Sequence, residues 1–287
     1  MVGRVAIIGV GLIGGSLGMA LRARRLATEV IGVARREETL VDAQRLGAID
    51  RGTLSLVEGV RDADLVVLAT PVRTIMEQLA AIGPGLSPGC LVTDAGSTKA
   101  DIVAAAVCLP ETVDFVGGHP MAGSDEAGVA AARADLFQGA TWALTPADRS
   151  PEDAVTRLET LVRALGSNPL RLSASEHDAI VAVTSHLPHL LAAAIMNVVD
   201  AAAQSDVRVE AFAAGGLRSV TRIAQSNPDL WRDILLTNRQ AILAAGKRLR
   251  EEMEALLLAV EQGDAAAIEE LLSRAAQARR GLQGGEA

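Results

Sequence analysis

Residues Gly117-Gly118-His119-Pro120-Met121-Ala122-Gly123-Ser124 carry one imidazole into a loop of small side chains, directly after a short apolar run, Val113–Val116. A histidine with an ordinary pKa of about 6.5 is a competent general base near neutral pH. The surrounding glycines leave room for a ligand above the ring. A second polar stretch, Asp94-Ala95-Gly96-Ser97-Thr98-Lys99, closes another apolar run, Leu91–Asp94. Both runs read as strands, and adjacent strands lie about 4.8 Å apart. Ser97 and His119 would then share one sheet edge and one hydrogen bond. Each also has a plainer reading: His119 as a packed structural histidine, and Ser97 as a helix N-cap, because Ser97-Thr98-Lys99-Ala100-Asp101 begins like a capped helix. Lys99 stays open between a structural ion pair and a site role.

The elements that must carry these residues begin at the first strand. Arg4–Gly9 is a β-branched apolar run that passes straight into Gly9-Val10-Gly11-Leu12-Ile13-Gly14 and a helical stretch through Leu21. Strand, Gly-x-Gly-x-x-Gly and helix together form a dinucleotide-binding fingerprint. Its first glycine turns the chain, its second admits a pyrophosphate, and its third lets helix and strand pack closely. Gly9, Gly11, Leu12, Ile13 and Gly14 are therefore cofactor-site candidates. The second strand, Glu29–Val33, ends at Ala34-Arg35-Arg36, where an acid would normally meet a free ribose 2′-hydroxyl. Arg35 and Arg36 favour a 2′-phosphate, hence NADP, with NAD and two solvated arginines as the other reading. Asp64–Thr70 ends in Thr70-Pro71, two further candidates on the cofactor rim, and Thr74–Ile82 reads as the following helix.

Strands alternate with helices as far as Thr141–Leu144 and Pro169–Leu172, which implies parallel βαβ units and an α/β, doubly wound sheet. Ligands in such sheets bind outside the carboxyl ends of the strands, which puts Asp94–Lys99 and His119 on the ligand side. After Ser173–Asp178, a helix start, the strand pattern stops. Ala179–Ala203 is apolar on nearly every face and should be buried, in a core or against another subunit, with a kink at Pro188. The expected division is a Rossmann-type domain over 1–172 and an all-helical substrate and dimerisation domain over 173–287. Arg218 and Arg222 fall on one helix face, and Trp231 follows in Asn227-Pro228-Asp229-Leu230-Trp231. His186 and His189 are three apart, but Pro188 between them and the lack of a nearby acid argue against a metal pair, so no metal is expected.

The formal net charge of −8, with no basic run, argues against nucleic acid or an anionic membrane as partner. The two cysteines, Cys90 and Cys108, have no metal-ligand spacing and read as buried or partly buried residues of a reducing cytoplasm. The apolar start is broken by five glycines between residues 9 and 18, which suits a strand and glycine turn better than a signal or membrane helix.

The ordered set GVGLIGGSLG at 9–18, DAGSTK at 94–99, GGHPMAGS at 117–124, SHLPH at 185–189 and TRIAQSNPDLWRDI at 221–234 resembles the prephenate/arogenate dehydrogenases of tyrosine biosynthesis. The resemblance runs from the first residues to about Arg250. It implies a homodimer formed through the helical domain and an oxidative decarboxylation of prephenate or arogenate. By resemblance His119 is the base on the ring hydroxyl, and Ser97 orients it. Arg222 grips a substrate carboxylate, and His189 meets the side-chain carboxylate as a protonated partner. Ser185, Ser124, Gly215 and Trp231 line the pocket. The Ala34-Arg35-Arg36 strand end resembles the NADP-using, arogenate-preferring branch, whereas His189 resembles members that accept prephenate. Two other classes share parts of this plan. A β-hydroxyacid dehydrogenase or imine reductase has the same layout, but the hydroxyacid enzymes resemble one another in a catalytic lysine that Ala179–Ala203 lacks. A non-enzymatic NADP sensor would need the glycine loop without His119 and Arg222.

Overall fold

The computed structural model describes residues 2–123 and 126–283. The chain opens with β1 (Val2–Ile8), α1 (Leu12–Ala23), β2 (Ala27–Val33), α2 (Glu37–Arg45) and β3 (Arg51–Thr53). It continues through α3 (Leu56–Val60), β4 (Leu65–Leu68), α4 (Val72–Ile82), β5 (Leu91–Asp94), α5 (Ala100–Ala105) and β6 (Asp114–Pro120). β7 (Thr141–Pro146), α6 (Glu152–Ala164) and β8 (Asn168–Arg171) complete an eight-stranded sheet in the order β3-β2-β1-β4-β5-β6-β7-β8. The strand order reverses between β1 and β4, the place where such sheets open a ligand crevice.

β1 shows why the sheet holds. Val5 and Ile7 face one apolar cluster, with α1 and α6, while Ala6 and Ile8 face the other, with α4 and α5. All four are essentially fully buried. A strand covered on both faces has to be apolar throughout. Each buried aliphatic side chain of Val or Ile size contributes about 1.5–3 kcal/mol.

Two sequence expectations are corrected in β6. The Gly117–Pro120 stretch is strand, not loop, and its ladder runs antiparallel to β7, with His119 opposite Ala143. A parallel neighbour requires a crossover of a dozen or more residues, usually a helix. Among the described residues between β6 and β7, only one short 3-10 turn, Val129–Ala131, occurs. β8 returns parallel to β7, and β1 to β6 are parallel throughout.

Beyond β8 the chain is helical. α7 (Ala174–Val181) starts with a complete capping box between Ser173 and Glu176. A π-helical turn, Ala182–His186, then absorbs the strain of Pro188, which sits in the first turn of α8 (Leu187–Ser205). α9 (Arg208–Ala211), α10 (Gly215–Thr221), a 3-10 turn at Arg222–Gln225 and α11 (Pro228–Thr237) follow. The run Ala174–Ser205 is long and apolar enough to cross a membrane by length and composition, yet only 28% of its most apolar window is buried within one chain. Its histidines and Asp178 are buried against other parts of the protein. A bilayer core would instead strand these groups in hydrocarbon.

Met1–Arg239 form one compact unit and Gln240–Ala287 a second. In the second, α12 (Arg239–Gln262) and α13 (Ala265–Gln283) are separated at Gly263, whose φ of +63° suits glycine, and Asp264 caps α13 by accepting the Ala267 N–H. Cys90 is buried and its thiol is pushed up to about 12 by that burial, whereas Cys108 is exposed, against the expectation of partial burial.

Candidate active site

A cleft of about 900 Å³ opens at the switch point. Gly9, Gly11, Arg35, Arg36, Thr70 and Pro71, all sequence candidates, line it together with residues of α11. Gly9 has φ +96°, and a Cβ on Gly14 would come within 2.1 Å of the Gly9 carbonyl oxygen. A Cβ on Gly11 would meet nothing within 4 Å. The loop is thus pinned on its inner side and open on its outer side, which fits a pyrophosphate lying against main-chain N–H groups. Leu12 and Ile13 pack their side chains on the apolar core; they can offer a nucleotide only their backbone. Arg35 and Arg36 are exposed on the rim, and among the described residues neither has a carboxylate within ion-pair reach. Thr70 donates to Gln78 Oε1 at 2.6 Å.

His119 is half-buried on β6. Its Nδ1 lies 2.8 Å from His177 Nε2, and His177 Nδ1 lies 2.8 Å from Asp178 Oδ1. Asp178 in turn accepts the Lys99 N–H at 2.8 Å and the Ala100 N–H at 2.9 Å, so this carboxylate from α7 caps α5. Ser97 therefore caps no helix. Nor does it hydrogen-bond His119: the partner on the imidazole is His177, because α7 delivers a ring nitrogen to the position expected of the serine. Lys99 is fully buried and resolves as a structural ion pair with Asp94, with a further bond to the Gly118 carbonyl oxygen at 2.9 Å. Burial draws the Lys99 ammonium below its usual pKa, opposed by the Asp94 charge. Burial first, then the neighbouring His177, Lys99 and His186, hold the His119 imidazole well below its ordinary 6.5. It is a neutral base at physiological pH.

On the helical side, Trp231 stacks on His189 with ring centroids 3.5 Å apart and planes at 4°. The edge of His186 meets the same indole at 5.9 Å. Asn238 Nδ2 donates to His186 Nδ1 at 3.1 Å and to the Asp178 carbonyl at 2.8 Å. Burial lowers the His189 pKa from its ordinary 6.5. Its Nδ1 is buried without a hydrogen-bond partner. Ser185 lies half-buried in the π turn beside this pair, and Arg222 opens the 3-10 turn that packs on α8. Gly215 is exposed at the start of α10, with open space around it, and the structure does not bring it against the other candidates. Ser124 lies outside the described residues.

All four histidines of the chain thus gather in one contiguous cluster beside the nucleotide cleft. Comparison with known proteins covers nearly the whole chain. The family model described as prephenate dehydrogenase, nucleotide-binding domain, matches residues 17–169, and the one described as prephenate dehydrogenase, dimerization domain, matches residues 173–274. The chain belongs to the prephenate dehydrogenase family. It is 38% identical to a Bacillus subtilis prephenate dehydrogenase over 97% of this chain and 76% of that protein. It is also similar to the crystal structure of prephenate dehydrogenase from A. aeolicus in complex with hydroxyphenyl propionate and NAD+, with TM-score 0.92, 30% identity and 98% of each chain covered. The Synechocystis arogenate dehydrogenase structure follows at TM-score 0.84 and 29% identity, covering 97% of this chain and 99% of that one.

In this member of the prephenate dehydrogenase family, sequence reasoning missed His177, Asp178 and Asn238. A His-Asp neighbour pair in the first turns of the helix that joins the two halves was the available signal.

Burial of the other three histidines carries a pH consequence. His119, His186 and His189 all have lowered pKa values, His186 from 6.5 to about 4, chiefly through burial. Below about pH 6.5 the unfolded chain binds more protons than the folded one, so stability is full above that pH and falls as pH drops toward 4. At about 1.4 kcal/mol per pK unit, His186 alone accounts for about 2 kcal/mol lost by pH 5. Calorimetry at pH 7.5 and 5.0 should show Tm lower by several degrees at pH 5.0; an unchanged Tm would contradict neutral, buried histidines.

Proposed function

We propose that this chain is a soluble, cytoplasmic, NADP-preferring dehydrogenase that oxidatively decarboxylates prephenate or its amino counterpart arogenate. The observation that carries the reading is the histidine cluster, in which His119 at the end of β6 meets His177 and His189 stacks on Trp231 of α11, a helix that also lines the nucleotide cleft. The glycine loop with Arg35 and Arg36 would hold the cofactor, and a bound nicotinamide supplies a hydride acceptor. His119 takes the proton of the ring hydroxyl as hydride leaves the carbon bearing it, and carbon dioxide departs from the ring. Aromatisation of the product supplies much of the driving force. Ser97 would contact substrate beside His119. Arg222 would bind one substrate carboxylate through a charge-assisted bond, and His189 would meet the other, with Ser185, Ser124, Gly215 and Trp231 around them. Sequence domains 1–172 and 173–287 would divide these tasks. A second copy would cover the apolar α8 residues exposed in one chain, such as Val198 at 70% and Met196 at 36%.

The test is a two-by-two assay, prephenate or arogenate with NAD+ or NADP+, following the absorbance of reduced cofactor. Turnover with none of the four pairs would overturn the proposal. Replacing Arg35 by Ser should remove a charge-assisted bond of about 1.5–3 kcal/mol to a 2′-phosphate. The KM for NADP+ should then rise roughly tenfold to a hundredfold, with that for NAD+ nearly unchanged. An equal effect on both cofactors would return the arginine pair to solvent.

A further inference from the structure

His119 is the base of the proposed reaction, and the two groups behind it, His177 and Asp178, are left without a task. Both are buried, at 2% and 3% exposure. We infer that Asp178 and His177 form a relay that fixes the tautomer of His119, so that its Nε2 always faces the reaction with a free lone pair; this rests on the reading of His119 as the base.

Both Asp178 oxygens accept main-chain N–H groups, from Lys99 at 2.8 Å and Ala100 at 2.9 Å. These partners can only donate, so the carboxylate presents an acceptor to His177. The His177 proton must therefore sit on Nδ1, 2.8 Å from Asp178 Oδ1. A neutral His177 then has an unprotonated Nε2, which accepts from His119 Nδ1–H across 2.8 Å. A neutral His119 with its proton on Nδ1 has its lone pair on Nε2, the atom that among the described residues forms no hydrogen bond. Which ring nitrogen is protonated is set by the bond the other one makes, and here that rule operates twice in series. When the substrate O–H bond breaks and its proton joins His119 Nε2, the new imidazolium still donates Nδ1–H to a neutral His177 backed by a carboxylate. The positive charge is accommodated without moving a side chain.

Asn238 fixes the frame. Its amide donates to the Asp178 carbonyl oxygen at 2.8 Å and to His186 Nδ1 at 3.1 Å. The turn carrying the relay is thereby tied to the end of α11, independently of substrate. His177 and Asp178 are positioning residues, acting through His119.

With four histidines in the chain, nitrogen NMR of histidine-labelled full-length protein can report each ring's tautomer once single variants assign the signals. The wild type should show His119 protonated on Nδ1. In Asp178→Asn the amide can donate to His177 Nδ1, which moves the His177 proton to Nε2 and forces His119 into the opposite tautomer. The kcat should then fall by on the order of 10²–10⁴, the scale of a wrong-tautomer defect, with KM and cofactor affinity held. His177→Gln keeps an acceptor for His119 Nδ1–H; it should retain the tautomer and stay within about tenfold of wild-type kcat. His177→Leu should lose both. A wild-type His119 protonated on Nε2, or an Asp178→Asn protein with its tautomer unchanged, overturns the relay. If Asp178→Asn does not fold, equal tautomers and equal kcat for the Gln and Leu variants overturn it instead. The NMR arm needs no substrate. A tautomer as expected in a wild type inactive on both prephenate and arogenate keeps the relay and removes only the substrate reading.

Discussion

His119→Asn is expected to lower kcat by on the order of 10²–10⁴, the usual contribution of a positioned general base, while cofactor affinity stays at its wild-type value. Asparagine suits the purpose because its amide nitrogen can occupy the place of Nδ1 and go on donating to His177 Nε2, the bond that the imidazole makes at 2.8 Å. The fold around the site is then kept and only the second ring nitrogen is lost. His119 does not line the nucleotide cleft, which is why binding should survive. It stands on β6, two strands away from β4 and so about 10 Å from the crevice edge. Steady-state assays with prephenate and arogenate, paired with cofactor titration by calorimetry, separate the two quantities. Turnover near the wild-type value would remove His119 as the base. A loss of cofactor binding equal to the loss of turnover would make the residue structural.

The parts of this arrangement legible in the sequence are those whose signal is local. β1, its glycine loop and α1 are written in consecutive residues, an apolar run followed by three spaced glycines, and the structure differs from the reading only at the edges, with the strand at Val2–Ile8 and the helix running on to Ala23. Leu91–Asp94 is a strand with the expected bounds. β3 escaped because three residues, Arg51-Gly52-Thr53, contain no apolar pattern at all. The extension of β6 through Gly117–Pro120 escaped for the opposite reason: glycine and proline are strong turn signals, and only the ladder from β7 overrides them.

Long-range contacts were the least visible. The groups around His119 are Lys99, ahead of α5, and His177 and His186, on α7 and the π turn after it, and the spacing of 58 residues between His119 and His177 corresponds to no helical or strand period. Ser97 looked the better partner because it is the nearest hydroxyl in the strand order. The surface of α8 illustrates the same limit. Its apolar composition was plain, but whether it enters the core depends on packing, and only His189 and Ala192 of that helix are buried within one chain.

Lys99 carries the largest expected effect on stability. Its ammonium and the Asp94 carboxylate are both wholly buried, and they are joined to one another. Asp94 also accepts the Gly96 N–H at 2.8 Å and the Gly118 N–H at 3.1 Å, while Lys99 donates to the Gly118 carbonyl oxygen. The pair therefore staples the end of β5 to the residue before His119. Lys99→Met would leave a buried carboxylate without its cation, a loss of about 3–5 kcal/mol. At roughly 2–4 °C per kcal/mol for a unit of this size, Tm should drop by roughly 10 °C. Asp94→Asn in the Lys99→Met background removes the stranded charge, so the double variant should be more stable than Lys99→Met alone. That inversion is the informative result, because a lysine that merely filled space would give additive losses. Calorimetric melts of the four proteins measure it, and a double variant less stable than Lys99→Met would show that the two buried charges are not coupled. Turnover should fall in Lys99→Met beyond what stability explains, since Gly118, now tied to Asp94 through its N–H alone, sets the backbone from which His119 projects.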